Sequence, residues 1–328
     1  MKSPPNGLIR AVLNSWKSMG WVDVDNAALA VAKALHDGSD STAASRVVSG
    51  AFLERNGTSR STVDKAISGI PGTQTGELLP DVGGRIVVLT AIPSEYQAMV
   101  RLLESPQRLQ TGTGTRYAMG TIQGRDCLWE VAVAEIGPGN IGAAAEVASA
   151  TTELRPDLFL FVGIAGGLKG DLPPRSVVVS SVVHYYEQGR SEESGWLARP
   201  LSMPTRHRLT QLATDVAREW KESAAVVKPI AAGEALIGAS NSDTVRIIQT
   251  HYNDAVAVDM ESAGLYLAAH RAETPVLAVR GISDQLDDKS PETDARNQMF
   301  AARNAASFAE TLLRSAVRAD ISRRSDEA

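Results

Sequence analysis

From Arg85 onward, runs of apolar residues alternate with stretches of helical period, and this alternation limits what the chain can fold into more than any other feature. RIVVLTAI, DLFLFVGIAGG, SVVVSSVVHYY and PVLAVRGI are almost continuously apolar. A strand with one wet face would alternate polar and apolar residues. These do not, so each must be covered on both faces, as in a largely parallel sheet flanked by helices. TRYAMGTI, RDCLWEVAVAEI, PIAAGEAL and DAVAVDM are the further strands. The helices are SEYQAMVRLLE, GNIGAAAEVASATTEL, LTQLATDVAREWKES, NSDTVRIIQTHY, ESAGLYLAAHRA and the long RNQMFAARNAASFAETLLRSAVRA. Before them LIRAVLNSW, NAALAVAKALH, TAASRVVSGAFLE and STVDKAISGI predict four short helices, with Asp25 and Ser41 as N-caps. The expected organisation is a small all-α bundle over 1–70, a Gly- and Pro-rich linker over 71–84, an α/β domain over 85–318 and a frayed tail over 319–328.

Composition narrows the function classes. With 328 residues and 43% hydrophobic content the chain can bury one large core and a small one. The formal net charge of −5 provides no general pull toward nucleic acid or an anionic membrane, so neither is an expected partner. Cys127 is the single cysteine, which rules out an intrachain disulfide and a cysteine-based zinc site and fits a cytoplasmic protein. None of the five histidines is paired at metal-ligand spacing, and no segment is apolar enough to span a bilayer. No metal and no cofactor are expected.

Several strand-like runs end on acids: DAVAVDM leads to Asp259 and Glu261, and PVLAVRGI leads to Asp284. In sheets of this kind ligands bind beyond the carboxyl ends of the strands. Acids there either cap the next helix or line a pocket, and position alone leaves both roles open. GPGNIG, residues 137–142, matches the dinucleotide pattern, but the next strand, LFLFV, runs into Gly163, Ile164 and Ala165 without the ribose-binding acid. No P-loop and no nucleophile elbow is present.

Five motifs in order, AIPSEYQAM, IGPGNIGAAA, VGIAGGL followed by SVVVSS, VDMESAG and VRGISD, together resemble the nucleoside phosphorylase and nucleosidase superfamily. The likeness is greatest to its hydrolytic branch, which includes methylthioadenosine/S-adenosylhomocysteine nucleosidases and AMP nucleosidases, and it spans about residues 85–318. It implies a three-layer α/β/α sandwich around a mixed, partly barrel-like sheet. It further implies that Glu95 activates water, that Glu261 grips the ribose hydroxyls with Met260 packed on the sugar, and that Asp284 protonates the purine with Ser283 beside it. Gly166, Leu236, Ile237 and Asp259 fall at substrate-binding positions. Leu236 stands where adenine-specific members often carry a stacking Phe, and Ile164 where relatives often have a small polar residue. The chemistry suits these residues: a purine leaves only once protonated, the oxocarbenium-like sugar is stabilised by a carboxylate, and water needs a base.

The implied function is hydrolysis of a purine nucleoside or nucleotide to free base, adenine favoured, and ribose or ribose phosphate. The alternatives are a purine nucleoside phosphorylase and a non-catalytic nucleoside sensor. Phosphorylases of the superfamily hold phosphate with arginines, and neither AIPSEY nor VGIAGGL contains one. VHYYEQGR and RPLSMPTRHRLT supply Arg190, Arg206 and Arg208 as candidate ligands for a 5′-phosphate, through bidentate guanidinium contacts. The helical segment loosely resembles adaptor or effector-associated modules of bacterial conflict systems. It is expected to carry a protein partner or to serve oligomerisation, with the enzyme a homo-oligomer and a candidate nucleotide-depleting effector.

Overall fold

The computed structural model describes residues 12–13, 15–17, 19–36, 39, 41–68, 82–193, 195–285 and 291–321. The chain divides into two compact units, Met1–Val82 and Gly83–Ala328.

The amino-terminal unit contains α1 (Val24–His36), α2 (Ser41–Ser45), α3 (Gly50–Arg55) and α4 (Arg60–Ser68). Its core gathers Val12, Trp16, Val31, Phe52, Val63 and Ile67, and the Trp16 and Phe52 rings lie 5.4 Å apart. TAASRVVSGAFLE, expected as one helix, breaks in two because Ser49 takes an extended conformation and its Oγ accepts from Phe52 N at 3.2 Å, capping a new helix. Asp25 lies inside the first turn of α1 rather than at its cap, and Ser41 is the first residue of α2. Residues 69–70 of the expected bundle and 71–81 of the expected linker lie outside the described residues, while Val82, Gly83 and Gly84 already belong to the first strand.

The large unit is an α/β fold. In chain order it runs β1 (Val82–Thr90), α5 (Pro93–Val100), β2 (Glu104–Gln110), β3 (Arg116–Gln123), β4 (Leu128–Glu135), α6 (Asn140–Glu153), β5 (Leu158–Gly167) and β6 (Val177–Tyr185). There follow β7 (Gly189–Glu192), β8 (Gly195–Ala198), β9 (Leu201–Pro204), α7 (His207–Glu219), β10 (Ala225–Ala232), α8 (Asp243–His251), β11 (Ala257–Asp259), α9 (Ser262–Arg271), β12 (Val276–Gln285), α10 (Pro291–Ser315) and α11 (Arg318–Ile321). Residues 318–321 of the expected domain end and tail are thus helical, and 322–328 lie outside the described residues.

Among the described residues the main sheet has the order β11-β10-β6-β12-β5-β1-β4-β3-β2, with β9 paired to β6. It is mixed. β1, β5 and β12 are parallel, as are β6, β10 and β11, whereas β12 meets β6 antiparallel. β11 also pairs antiparallel with β5, opposing Val258 to Gly166, which curls this half of the sheet into a closed ring.

Alternate residues of β1 and β5 go to two different cores. Ile86, Val88, Leu158, Leu160 and Val162 pack with α5, α7 and α10. Val87, Leu89, Phe159 and Phe161 pack with α6 and α9. Burial on both faces is what made these runs continuously apolar. The β2 strand was not expected: ESPQRLQ is an exposed, polar edge strand interrupted by Pro106, and it carries no apolar signal.

Candidate active site

Glu95 sits in the first turn of α5, directly after β1, with Pro93 opening the helix. Its carboxylate is buried and engaged by backbone donors: Oε2 accepts from Ala91 N at 2.7 Å and Ile92 N at 3.2 Å, and Oε1 accepts from Ile164 N at 2.8 Å. The helix-cap role is therefore real, yet Oε1 keeps a lone pair for one further donor such as water. Burial raises the Glu95 pKa above the ordinary carboxylate value, against the lowering pull of Arg280 and the backbone donors.

β11 delivers Asp259, Met260 and Glu261 to the same place. Asp259 is spent locally. Its Oδ1 accepts from Ser262 N at 3.0 Å and Glu261 N at 3.3 Å, its Oδ2 accepts from Ser262 Oγ, and together these tie down the start of α9. Glu261 reaches across to α6, where its Oε1 accepts from Gly139 N at 3.2 Å. This explains GPGNIG: the α6 N-terminus receives carboxylates of the chain itself, with Asn140 N donating to Glu234 at 3.3 Å. Asn140 also links Gly233 O and Gly264 N through its amide.

A cation missing from the sequence-derived set holds this cluster together. Arg280, in the middle of β12, has no exposed surface. Its Nε lies 2.8 Å from Asp259 Oδ2, its Nη2 lies 3.2 Å from Glu261 Oε2, and its guanidinium lies 4.2 Å above the Phe161 ring. An arginine inside the apolar run PVLAVRGI was the available signal, since an unpaired buried guanidinium is prohibitively costly. Burial raises the Glu261 pKa as well, opposed by Arg280 and reinforced by Asp259 and Glu95. Gly163 leaves room for the arrangement: a Cβ there would lie 2.6 Å from Arg280 Nη1 and 2.7 Å from Glu95 Oε1.

Asp284 comes from the end of β12. The pairing with β5 slips between Ile282 and Asp284, so that Asp284 rather than Ser283 opposes Gly166. A bulge of this kind re-aims side chains. Ser283 is buried, and its Oγ donates to Asp284 Oδ1 and lies 3.3 Å from Ala165 O.

These groups share one cavity of about 480 Å³, lined among others by Ile92, Glu95, Ile164, Gly166, Leu236, Ile237, Asp259, Met260, Glu261, Ser283, Asp284 and Gln298. The volume falls in the usual range for small-molecule sites, about 300–1,000 Å³. Leu236 stands at the rim with 81% of its surface exposed, while Ile237 is buried. No Lys, Arg or His is among the described lining residues. Gln298, from α10, is a lining residue that the motifs did not indicate.

The three arginines do not join this group. Arg190 lies on the β7–β8 hairpin and pairs with Glu192 at 3.0 Å. Arg206 donates to Glu273 O at 3.3 Å and lines a separate cavity with Thr274 and Val276. That cavity is at the start of β12, eight residues and so about 26 Å from Asp284 along the strand. Arg208 donates to Ala319 O. Arg206 and Arg208 are thus placed away from the pocket mouth at which they were expected to bind a 5′-phosphate, while Arg190 stays on the hairpin that follows β6 and is not among the described lining residues. β9 runs antiparallel to β6 and carries the chain back toward the opposite end of the sheet before Arg206 appears.

The family profile of the phosphorylase superfamily matches residues 85–318. The 5′-methylthioadenosine/S-adenosylhomocysteine nucleosidase of Lysinibacillus sphaericus is 26% identical over 204 residues, covering 61% of this chain and 86% of that protein. The crystal structure of the S-adenosylhomocysteine nucleosidase of Streptococcus pyogenes in complex with 5-methylthiotubericidin superposes with a TM-score of 0.62 at 23% identity, covering 70% of this chain and 96% of the other. The native futalosine hydrolase of Helicobacter pylori superposes with a TM-score of 0.61 at 21% identity, covering 70% and 96%. At such identities the structural likeness speaks for the fold, and with a family match over most of its length the chain belongs to the phosphorylase superfamily.

Proposed function

We propose that the large unit is a purine nucleosidase that cleaves the N-glycosidic bond with water. The observation that carries this is the cavity, where Glu95, Glu261 and Asp284 converge from three different strand ends. The names of the relatives, nucleosidases of adenosine derivatives, support it.

In this reading the base lies between the 235–237 segment and Asp284, which delivers a proton to N7 as the C1′–N9 pair withdraws onto the purine. Ser283 orients the acid. Glu261, braced by Arg280 and Gly139 N, accepts from the ribose hydroxyls and stabilises the developing sugar cation. Water attacks C1′ and gives its proton to Glu95, whose raised pKa suits a general base. Four carboxylates and no cation among the described lining residues make an unfavourable site for phosphate, so hydrolysis is favoured over phosphorolysis and a nucleoside over a nucleotide.

The amino-terminal unit is proposed to be a separate docking or control module. The enzyme is proposed to be a homo-oligomer, with Ile141 and Leu236, 80% and 81% exposed, as the apolar groups beside the pocket that a second copy would cover. The test of the activity is turnover of a nucleoside and nucleotide panel with and without inorganic phosphate, read by chromatography. Free base and free ribose at phosphate-independent rates are expected; phosphate-dependent ribose-1-phosphate would overturn hydrolysis.

A further inference from the structure

Among the described residues that line the cavity, Gln298 is the one neutral amide side chain, and nothing in the proposed chemistry uses it. It is half-buried, and its amide makes no hydrogen bond to any described residue, although nearby Asn297 and Asn304 are both engaged, with the Arg175 side chain and Arg175 O. A glutamine that faces a pocket without an internal partner has donors and an acceptor to offer to whatever enters.

Its position follows from the packing of α10. This helix covers β12 and α5 together. Ala301 O lies against Gly281, where a Cβ would come within 2.0 Å of it. Gln298 is one turn earlier on α10, about 4.5 Å along the helix axis. α10 returns along the strand that it follows, so this step moves toward the carboxyl end of β12, level with Ser283. The side chain thus enters from the side of β12 and α5 that this helix covers, and it shares the cavity lining with Ile92 and Glu95 there and with Ala235, Leu236 and Ile237. With the base on the 235–237 side and the sugar over Met260 and Glu261, the Gln298 end receives the outer part of the ribose, where the 5′ substituent projects.

We infer that Gln298 is a specificity-determining residue that hydrogen-bonds the 5′ substituent and selects a neutral polar one, a free 5′-hydroxyl, over a thioether or a phosphate. The inference rests on the proposed nucleoside reading. An amide donates to and accepts from a hydroxyl, whereas a thioether sulfur accepts only weakly from the amide N–H and donates nothing to its carbonyl oxygen. A 5′-phosphate would lack a cation among the described lining residues.

The test is calorimetric binding of adenosine and 5′-deoxyadenosine to the full-length protein and to Gln298→Leu, alongside turnover of both ligands. One neutral hydrogen bond corresponds to roughly a two- to tenfold change in affinity. Wild-type protein is expected to bind adenosine tighter than 5′-deoxyadenosine by about that factor. In Gln298→Leu the preference should vanish, through weaker adenosine binding and not through weaker 5′-deoxyadenosine binding. An equal loss for both ligands, or no loss for either, overturns the inference. If wild-type protein binds both but cleaves neither, the nucleosidase reading fails while the binding comparison still decides the role of Gln298. If it binds neither, both fall.

Discussion

Replacing Arg280 with Met tests how the site is held together. The side chain has no exposed surface, pairs with Asp259 at 2.8 Å and Glu261 at 3.2 Å, and lies 3.3 Å from Ser262 Oγ. Methionine fills part of the volume but leaves Glu95, Asp259 and Glu261 without a counter-charge. Removing one partner of a buried pair costs about 3–5 kcal/mol. For a unit of this size, where about 1 kcal/mol moves the midpoint by about 2–4 °C, the melting temperature should fall by roughly 6–20 °C at neutral pH. The loss should also depend on pH. Glu95 and Glu261 both have folded pKa values raised above 4.5 by burial, and without Arg280 they rise further. A carboxyl with a raised folded pKa binds more protons in the native than in the unfolded state. Its favourable contribution is therefore complete below the unfolded pKa of about 4.5 and is lost as pH climbs through the folded value. Arg280→Met should thus lose most against wild type at pH 7–8 and recover toward pH 5, and Glu261→Gln added to it should restore part of the neutral-pH loss. Calorimetric scans of the variants between pH 5 and 8 check this. An Arg280→Met midpoint within about 2 °C of wild type across that range would show that the cluster is not held by this charge.

Asp284→Asn keeps the shape but cannot deliver a proton; kcat for nucleoside cleavage should fall by about 10²- to 10⁴-fold, with calorimetric ligand affinity largely retained. Arg206→Ala with Arg208→Ala, neither among the described residues lining the cavity that holds the acid, should leave KM for nucleosides and nucleotides alike within about twofold of wild type in steady-state assays; a selective rise in KM for AMP would return these arginines to the site. Light scattering should give at least twice the chain mass, and Leu236→Asp with Ile141→Asp should lower it if these apolar groups are covered by a second copy.

The layered core and the acids at strand ends were legible because their causes are local. Both faces of β1, β5 and β12 are covered, so those segments had to be continuously apolar. Glu95 follows β1 by five residues and Glu261 follows Asp259 by two, so strand ends marked both as candidate pocket groups, although β11 runs antiparallel to β5 and only the closed ring brings its end to the same cavity. β2, by contrast, is held at a wet edge by pairing with β3, and its sequence gives no apolar signal. Which end of the sheet a loop reaches was likewise undecided. Arg206 follows β6 closely in the chain, but antiparallel β9 returns it to the opposite end. The division of labour among the acids also needed three dimensions: Asp259 closes on Ser262 and Arg280, Glu261 bridges to Gly139, and a one-residue slip against β5 sets Asp284 opposite Gly166. Arg280 shows the limit most plainly. Its charge was visible inside an apolar run, but the carboxylates that make its burial tolerable come from other elements, and only the folded chain brings them within 3.2 Å.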